Sequence, residues 1–318
     1  MPLILLVGAG QLGSRYLQGL VESKSELEIS VVDPSLESLQ TAKSRWIDAG
    51  GDESPHQIRW LDSLPTNIER VDVALILTNS KGRASLVEQI AKAINVRFWV
   101  LEKVLTQSSE ELRAIQSALA SCERAWVNTP RRMMSWHQSL KDTFASRGPL
   151  EVSYSAGLWG LACNSIHFID LVAWWSGESL VSVDTSGLDH HWLESKRVGY
   201  FEITGELVAH FSGGTSLHLI SNQDAQVLPM QVALRDGVIW EVNEPAGSAR
   251  SSNDKHLDGC IEFQSQMSGR LVDDILLRGE CDLPSLDESS SMHTIFLDAM
   301  LAHWNLSQNR DDDCVPIT

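Results

Sequence analysis

Basic residues are scarce in this chain. Lys and Arg number 25 against 42 Asp and Glu, a formal net charge of -17 over 318 residues. So acidic a surface does not suit nucleic acid or an anionic bilayer, both of which attract cationic faces, and no partner of either kind is expected. Paired cysteines are missing as well. The five present, Cys122, Cys163, Cys260, Cys281 and Cys314, are odd in number, scattered and free of any CxxC spacing. Neither a disulfide framework nor a thiolate zinc site is indicated. No apolar run approaches the roughly 20 residues that span a bilayer. The opening "MPLILLVGAG" lacks a basic segment ahead of its apolar run, so it reads as a first strand and not as a secretory signal. A cytoplasmic protein is expected.

What is present suits a sizeable core. The hydrophobic fraction is 43%, ordinary for a globular protein. At roughly 150 residues per domain the length suggests two domains, and the pattern places them at 1–125 and 126–318.

The first half alternates strand and helix. Leu3 to Val7 is a continuous apolar run, as in a parallel strand buried on both faces. "GAGQLG" follows, with Gly8, Gly10 and Gly13, and opens a helix predicted from Gln11 to Glu22. A second strand, "LEISVVD", ends on Asp33, twenty residues after Gly13. In a dinucleotide-binding turn the first glycine allows the tight bend, the second lets a pyrophosphate approach, and the third lets helix and strand pack closely. The helix N-terminus, here Gln11, Leu12 and Gly13, offers N–H groups to the phosphate. Asp33 would accept bonds from the ribose hydroxyls and repel a 2'-phosphate, so NAD is expected ahead of NADP. The competing reading is a glycine-rich structural turn with Asp33 as a helix cap.

Two further strand–helix units are predicted. "VDVALILTN" (Val71 to Asn79) precedes a helix over Gly82–Ile94, and "VRFWVLEK" (Val96 to Lys103) precedes one over Ser108–Cys122. Alternation of this kind predicts a doubly wound parallel sheet, with ligand groups at the carboxyl ends of its strands. Thr78, Asn79, Glu102 and Lys103 fall at such ends. A lysine there also has a plain alternative, a tail reaching solvent. After Pro149, short strand candidates such as "LEVSYSAGL", "LVSVDTSGL", "ELVAHFSGG", "TSLHLIS", "PMQVALRDG" and "VIWEV" succeed one another between turns.

In "GLACNSIHFIDLVAWWSGE", Gly160 to Glu178, His167 and Asp170 share a helical face with Cys163 and Asn164. Taken together, "VGAGQLG" with "VVD", "LEKVL", "NSIHFIDLVAWWSGE" and the closing "CDLPSLDESSSMHTIFLDAM" resemble the Gfo/Idh/MocA family of NAD(P)-dependent sugar oxidoreductases. The resemblance spans nearly the whole chain. It implies a fold: an N-terminal Rossmann domain and a C-terminal α+β domain with a large, mostly antiparallel open sheet. One face of that sheet commonly joins subunits in relatives, so a homodimer or homotetramer is implied. It also implies roles. Lys103 matches the family's lysine, which holds the substrate hydroxyl, and His167 matches its acid/base histidine. The substrate implied is a small carbohydrate.

The sequence departs from the family in two places. Cys163 stands where many relatives carry an aspartate, and Val104 replaces a proline whose bond is often cis. A neutral thiol does not stabilise an imidazolium as a carboxylate does. These departures keep a second class open, a non-catalytic NAD(H)-sensing regulator on the same fold. A metal held by His167 and Asp170 with His190 and His191 is the weaker rival, because no third ligand is fixed by spacing; no metal is expected.

Trp174 and Trp175 are read as core. Trp159, in a Gly-Leu-Trp-Gly turn, could wall a sugar ring. Two basic clusters, Arg131 with Arg132 and Lys196 with Arg197, are candidates to bind an anionic substrate group. Their plain alternative is two solvated surface patches. With Asn164 and Cys163 these complete the expected substrate-binding set.

Overall fold

Apolar strands alternating with helices build the first of two compact units in the computed structural model, which describes residues 1–145, 147–224 and 226–318. That unit comprises Met1–Leu105, Arg113–Pro130 and Glu262–Leu286. The return at 262–286 is not contained in a single division after residue 125. Six strands make its sheet: β1 (Leu3–Val7), β2 (Glu28–Val32), β3 (Gln57–Leu61), β4 (Arg70–Ile76), β5 (Asn95–Glu102) and β6 (Arg124–Asn128). Their order is β3-β2-β1-β4-β5-β6 and every pairing is parallel. The continuous apolar runs fall where they should, since Ile4 to Val7 and Val73 to Ile76 are buried. Parallel strands covered on both faces leave no polar alternation. Edge strand β3 differs, being half-buried and polar on one side, and no apolar run announces it.

Helices α1 (Gln11–Leu20), α2 (Leu36–Asp48), α3 (Arg83–Ala93) and α4 (Ser109–Ala118) accompany these strands. The helix Gln264–Arg278 packs on α1 through small residues. A Cβ on Gly19 would lie 2.2 Å from Ser268 Oγ, and one on Gly269 would lie 2.6 Å from Gly19 O. Ser268 Oγ donates to Tyr16 O at 2.8 Å, so the close crossing is also hydrogen-bonded.

The second unit comprises Thr106–Leu112, Arg131–Ile261 and Asp287–Thr318. Its strands are β7 (Leu150–Ala156), β8 (Leu180–Leu188), β9 (Leu193–Glu194), β10 (Phe201–Glu202), β11 (Gly205–Phe211), β12 (Ser216–Ser221), β13 (Met230–Leu234), β14 (Ile239–Asn243), β15 (Ser248–Ser251) and β16 (His256–Asp258). Among the described residues eight of these form one sheet, ordered β16-β15-β14-β13-β7-β12-β11-β8, and β9 pairs with β10 apart from it. Only β7 with β12 is parallel within the large sheet. Helices α5 (Ser135–Phe144) and α6 (Leu161–Ser176) pack on each other, α6 also meets β12 and β10, and the C-terminal helix runs over Leu286–Gln308. The expected α/β architecture, a parallel doubly wound sheet and a large, mostly antiparallel one, is the observed architecture. Among the described residues no helix is long and apolar enough to cross a membrane.

Candidate active site

In the first unit the residues expected at strand ends form one strip along the carboxyl edge of the sheet. The strand order reverses between β1 and β4, and such a switch point opens a crevice for ligand. Gly8 has φ +99, and a Cβ there would also press within 2.9 Å of the Leu77 backbone. On Gly13 a Cβ would lie 1.8 Å from Gly8 O. Both glycines are therefore required by the packing of the turn itself. Gly10 is different: nothing lies within 4 Å of its would-be Cβ, so the space above it is open. Gly10 caps α1 without a side-chain hydrogen bond, and the first turn of α1 holds no acidic residue. The N–H groups of Gln11, Leu12 and Gly13 thus face an anion-compatible opening.

Asp33 ties this turn to β2. Its Oδ2 accepts from Ala9 N at 2.7 Å and its Oδ1 from Ser35 N at 2.8 Å. Each carboxylate oxygen has a further lone pair, so these bonds leave Asp33 able to accept from hydroxyls. Ser35, and not Asp33, caps α2 by accepting from Ser38 N. Asp33 N donates to Leu61 O at 3.1 Å. Next to it, a hollow of about 520 Å³ is lined by Leu36, Leu39, Lys43, Trp60, Leu61 and Asp62. Arg45 on α2 donates to Gln11 Oε1 at 2.8 Å and to Ser14 Oγ, joining the two helices there.

Farther along the strip, Thr78 is half-buried, Asn79 exposed, Glu102 buried and Lys103 half-buried. The Glu102 carboxyl accepts from Asn128 Nδ2 at 2.8 Å, and Asn128 Nδ2 also donates to Gln264 at 3.1 Å. Burial is the largest influence on Glu102 and pushes its pKa up; the Lys103 charge and the Asn128 bond pull it down without cancelling this. Valine at 104 was expected to remove a cis bond, yet the Lys103–Val104 peptide is cis. A buried arginine, Arg83, holds the backbone of both strand-end segments. Sequence reasoning missed Arg83 and Asn128. Their signals were a cation at a helix N-terminus, where the dipole disfavours it, and a polar residue closing an apolar strand.

In the second unit, α6 carries Cys163, Asn164 and His167, all half-buried, on one face of a mostly apolar helix. Gly160 precedes it in the left-handed region, φ +79. The Glu202 carboxylate accepts from Ala162 N at 2.9 Å, an acidic cap on the positive end of the helix that sequence reasoning did not find. Asn164 Nδ2 donates to Trp159 O at 2.8 Å, and Cys163 Sγ donates to Gly160 O at 3.5 Å, so both side chains brace this turn. Trp159 donates its indole N–H to Ile220 O at 2.9 Å and meets Tyr154 and Phe168 edge-on, each at 5.3 Å between centroids.

The two basic clusters fare differently. Arg131 forms a forked pair with Glu244, at 2.6 and 2.8 Å, and lies 4.8 Å from the centroid of Phe168. Arg132 forks onto Asp170, at 3.0 and 2.7 Å, and also reaches Glu288 at 2.8 Å. Both were expected to present charge to a substrate. Instead Arg132 is buried and Arg131 half-buried, each paired with carboxylates of its own unit and neither a solvated surface patch. Asp170 has both carboxylate oxygens on Arg132. Burial pushes the Glu244 carboxyl up, but the Arg131 charge and hydrogen bonds, aided by His137, outweigh it and hold Glu244 well below the usual carboxylate range. His137 is fully buried 3.1 Å from Glu244, and burial pulls its pKa down. Lys196 and Arg197 remain exposed in the turn between β9 and β10, the hairpin whose Glu202 caps α6. Trp175 is buried as expected; Trp174 is half-exposed, with Lys141 Nζ 4.6 Å from its ring.

No known family model and no curated protein matches the chain in sequence. Its fold, however, is shared with solved dehydrogenases. UDP-N-acetylglucosamine 3-dehydrogenase from Acidithiobacillus ferrooxidans superposes with a TM-score of 0.70 at 15% identity, over 96% of this chain and 99% of that one. For myo-inositol dehydrogenase from Lactobacillus casei, solved with NAD(H) and myo-inositol, the values are 0.65 and 14%, over 98% and 96%. For an oxidoreductase from Agrobacterium radiobacter, in complex with NAD+, L-tartaric acid and magnesium, they are 0.69 and 12%, over 95% and 96%. Along nearly its whole length, the chain has the two-domain fold of Gfo/Idh/MocA-type dehydrogenases.

Proposed function

We propose that this chain is an NAD-dependent oxidoreductase that moves a hydride between the nicotinamide and a carbinol carbon of a sugar, sugar acid or nucleotide-activated sugar. The observation that carries this is the β1–α1 turn. Its Gly8 and Gly13 are fixed by packing, Gly10 opens onto empty space, and the Asp33 carboxylate is tied beside it. These residues fit a dinucleotide. The first N–H groups of α1 hold the pyrophosphate, Asp33 accepts from the ribose and disfavours NADP, and the hollow beside Leu36 and Trp60 takes the adenine. Thr78, Asn79 and Glu102 attend the nicotinamide end. Solved proteins of this fold carry NAD(H) or NAD+.

A bound nicotinamide supplies the hydride acceptor or donor. The remaining work falls to the chain. A ring nitrogen of His167 takes the proton of the hydroxyl being oxidised, the work of a general base. The Lys103 ammonium holds a substrate oxygen and stabilises negative charge that develops on it. Trp159 offers an aromatic face to the sugar. With Arg131 and Arg132 committed internally, Lys196 and Arg197 are the cations that meet an acidic substituent. A homodimer or homotetramer, formed through the open face of the eight-stranded sheet, belongs to this reading.

The experiment is NADH formation with NAD+ and a panel of myo-inositol, hexuronates and UDP-N-acetylglucosamine. Turnover with one of them is expected, and His167→Ala should lower kcat by about 10²–10⁴-fold while NADH affinity holds. A second reading, an NAD(H)-responsive regulator, draws on Cys163: a thiol bonded to Gly160 O stands one turn before His167 where a carboxylate would support an imidazolium. NADH binding without turnover on the panel, indifferent to His167→Ala, would establish that reading instead.

A further inference from the structure

Arg83 is the first residue of α3 and only 1% exposed. The positive end of a helix dipole is an unfavourable place for a cation, and burial adds a desolvation cost. Main-chain oxygens offset both. Nη1 donates to Glu102 O at 2.7 Å, to Leu105 O at 2.9 Å and to Val104 O, while Nη2 donates to Thr78 O. These carbonyls belong to two separate segments, one leaving β4 and the other leaving β5. Two of them, Glu102 O and Val104 O, bracket Lys103. The half-buried lysine therefore sits on a backbone pinned on both sides, between buried Glu102 and buried Val104. Valine at 104 has none of the φ restriction of a proline, so restraint of this segment has to come from elsewhere. A planar guanidinium can span four carbonyls in two loops; a lysine ammonium, a compact point charge, matches that fork poorly.

We propose that Arg83 is a positioning residue for Lys103, one that couples the Lys103 backbone to the Thr78–Asn79 segment so that ordering either loop orders the other. The functional half of this statement rests on the oxidoreductase reading above; the coupling itself does not. Ligand-linked ordering of this kind needs no change of shape, only shared restraint.

Hydrogen–deuterium exchange on the full chain tests it. In Arg83→Ala, exchange should rise by at least about tenfold over 77–80 and 102–106 together, the scale of losing charged hydrogen bonds. Arg83→Lys should give a smaller rise in the same two segments. Adding ethylguanidinium to Arg83→Ala should restore protection in both, which general destabilisation of the fold would not do. If Arg83→Ala does not fold, Arg83→Lys carries the test alone. Unchanged exchange, or a rise confined to one segment, overturns the coupling. NADH is then added as probe. Wild type should gain protection in both segments, and the Arg83 variant only over 77–80. No response of wild type to NADH would defeat the oxidoreductase reading, while the ligand-free comparison still decides the role of Arg83.

Discussion

Two glutamates, Glu102 buried in the first unit and Glu244 half-buried in the second, have carboxyls shifted in opposite directions. Glu102, at the end of β5, is pushed up, because burial outweighs the Lys103 and Arg83 charges, the Asn128 bond and a backbone bond from Lys103. Glu244, just after β14, feels a burial penalty too, yet is held well below its ordinary range. The difference lies in the partner. Arg131 meets Glu244 with two short charge-assisted bonds from a rigid fork, whereas Asn128 offers Glu102 a single neutral donor. The charge of Glu244 is met within the fold, whereas Glu102 stays shifted up at a strand end beside Lys103.

The largest effect expected from breaking this contrast is in the second unit. Arg131→Met should leave the half-buried Glu244 without its cation and cost about 2–4 kcal/mol, below the full buried-pair value because both side chains keep some exposure. Urea unfolding would measure it. The double variant Arg131→Met/Glu244→Met should lose less than Arg131→Met alone, since no orphaned charge remains.

The two sites should also respond oppositely to pH. Glu244 has a lowered folded pKa, so its stabilisation is present above the ordinary carboxylate value of about 4.3 and is lost as pH falls through the folded value. His137 works in the same sense: held neutral in the fold, it takes up a proton on unfolding once pH drops below about 6.5, so acid destabilises. Glu102, with a raised folded pKa, contributes most below about 4.3 and loses that contribution as pH rises through its folded value. Unfolding midpoints from pH 2 to 8 should therefore show Glu244→Gln below wild type by a gap that is full above about pH 5 and narrows as pH falls below about 4.3. Glu102→Gln should gain on wild type as pH rises over the same range. The latter is the smallest effect, about 1 kcal/mol or less at pH 8, and a Glu102→Gln curve parallel to wild type would contradict the contrast.

Much of the first unit was legible because its chemistry is local. A buried parallel strand, a glycine turn, a helix and an acid at the next strand end all lie within Leu3–Asp33, and each is found where the pattern puts it. The six strand candidates quoted from the second half also coincide with β7, β8, β11, β12, β13 and β14. What escaped was long-range. Arg131 and Arg132 look like exposed cations in an acidic chain, but their partners lie 113, 38 and 156 residues away. Only the fold brings those charges together. Edge strand β3 escaped for the opposite reason, because its half-polar sequence gives too little apolar signal. His167 is on the predicted helix, but the thiol and amide beside it turn back to brace Gly160 and Trp159, which spacing alone did not reveal.

Of the three turn glycines, Gly8 and Gly13 are held by packing, whereas Gly10 has room for a side chain and ordinary backbone angles, φ -63. Gly10→Asp therefore separates binding from folding. A fluorescence titration with NADH and NADPH, on wild type and Gly10→Asp, is the most direct test of the central claim. Wild type should bind NADH more tightly than NADPH. Gly10→Asp, which sets a carboxylate where the pyrophosphate approaches, should keep its melting temperature and lose NADH affinity by about 100-fold or more. Equal NADH binding by the two proteins, or none by wild type, would contradict the account.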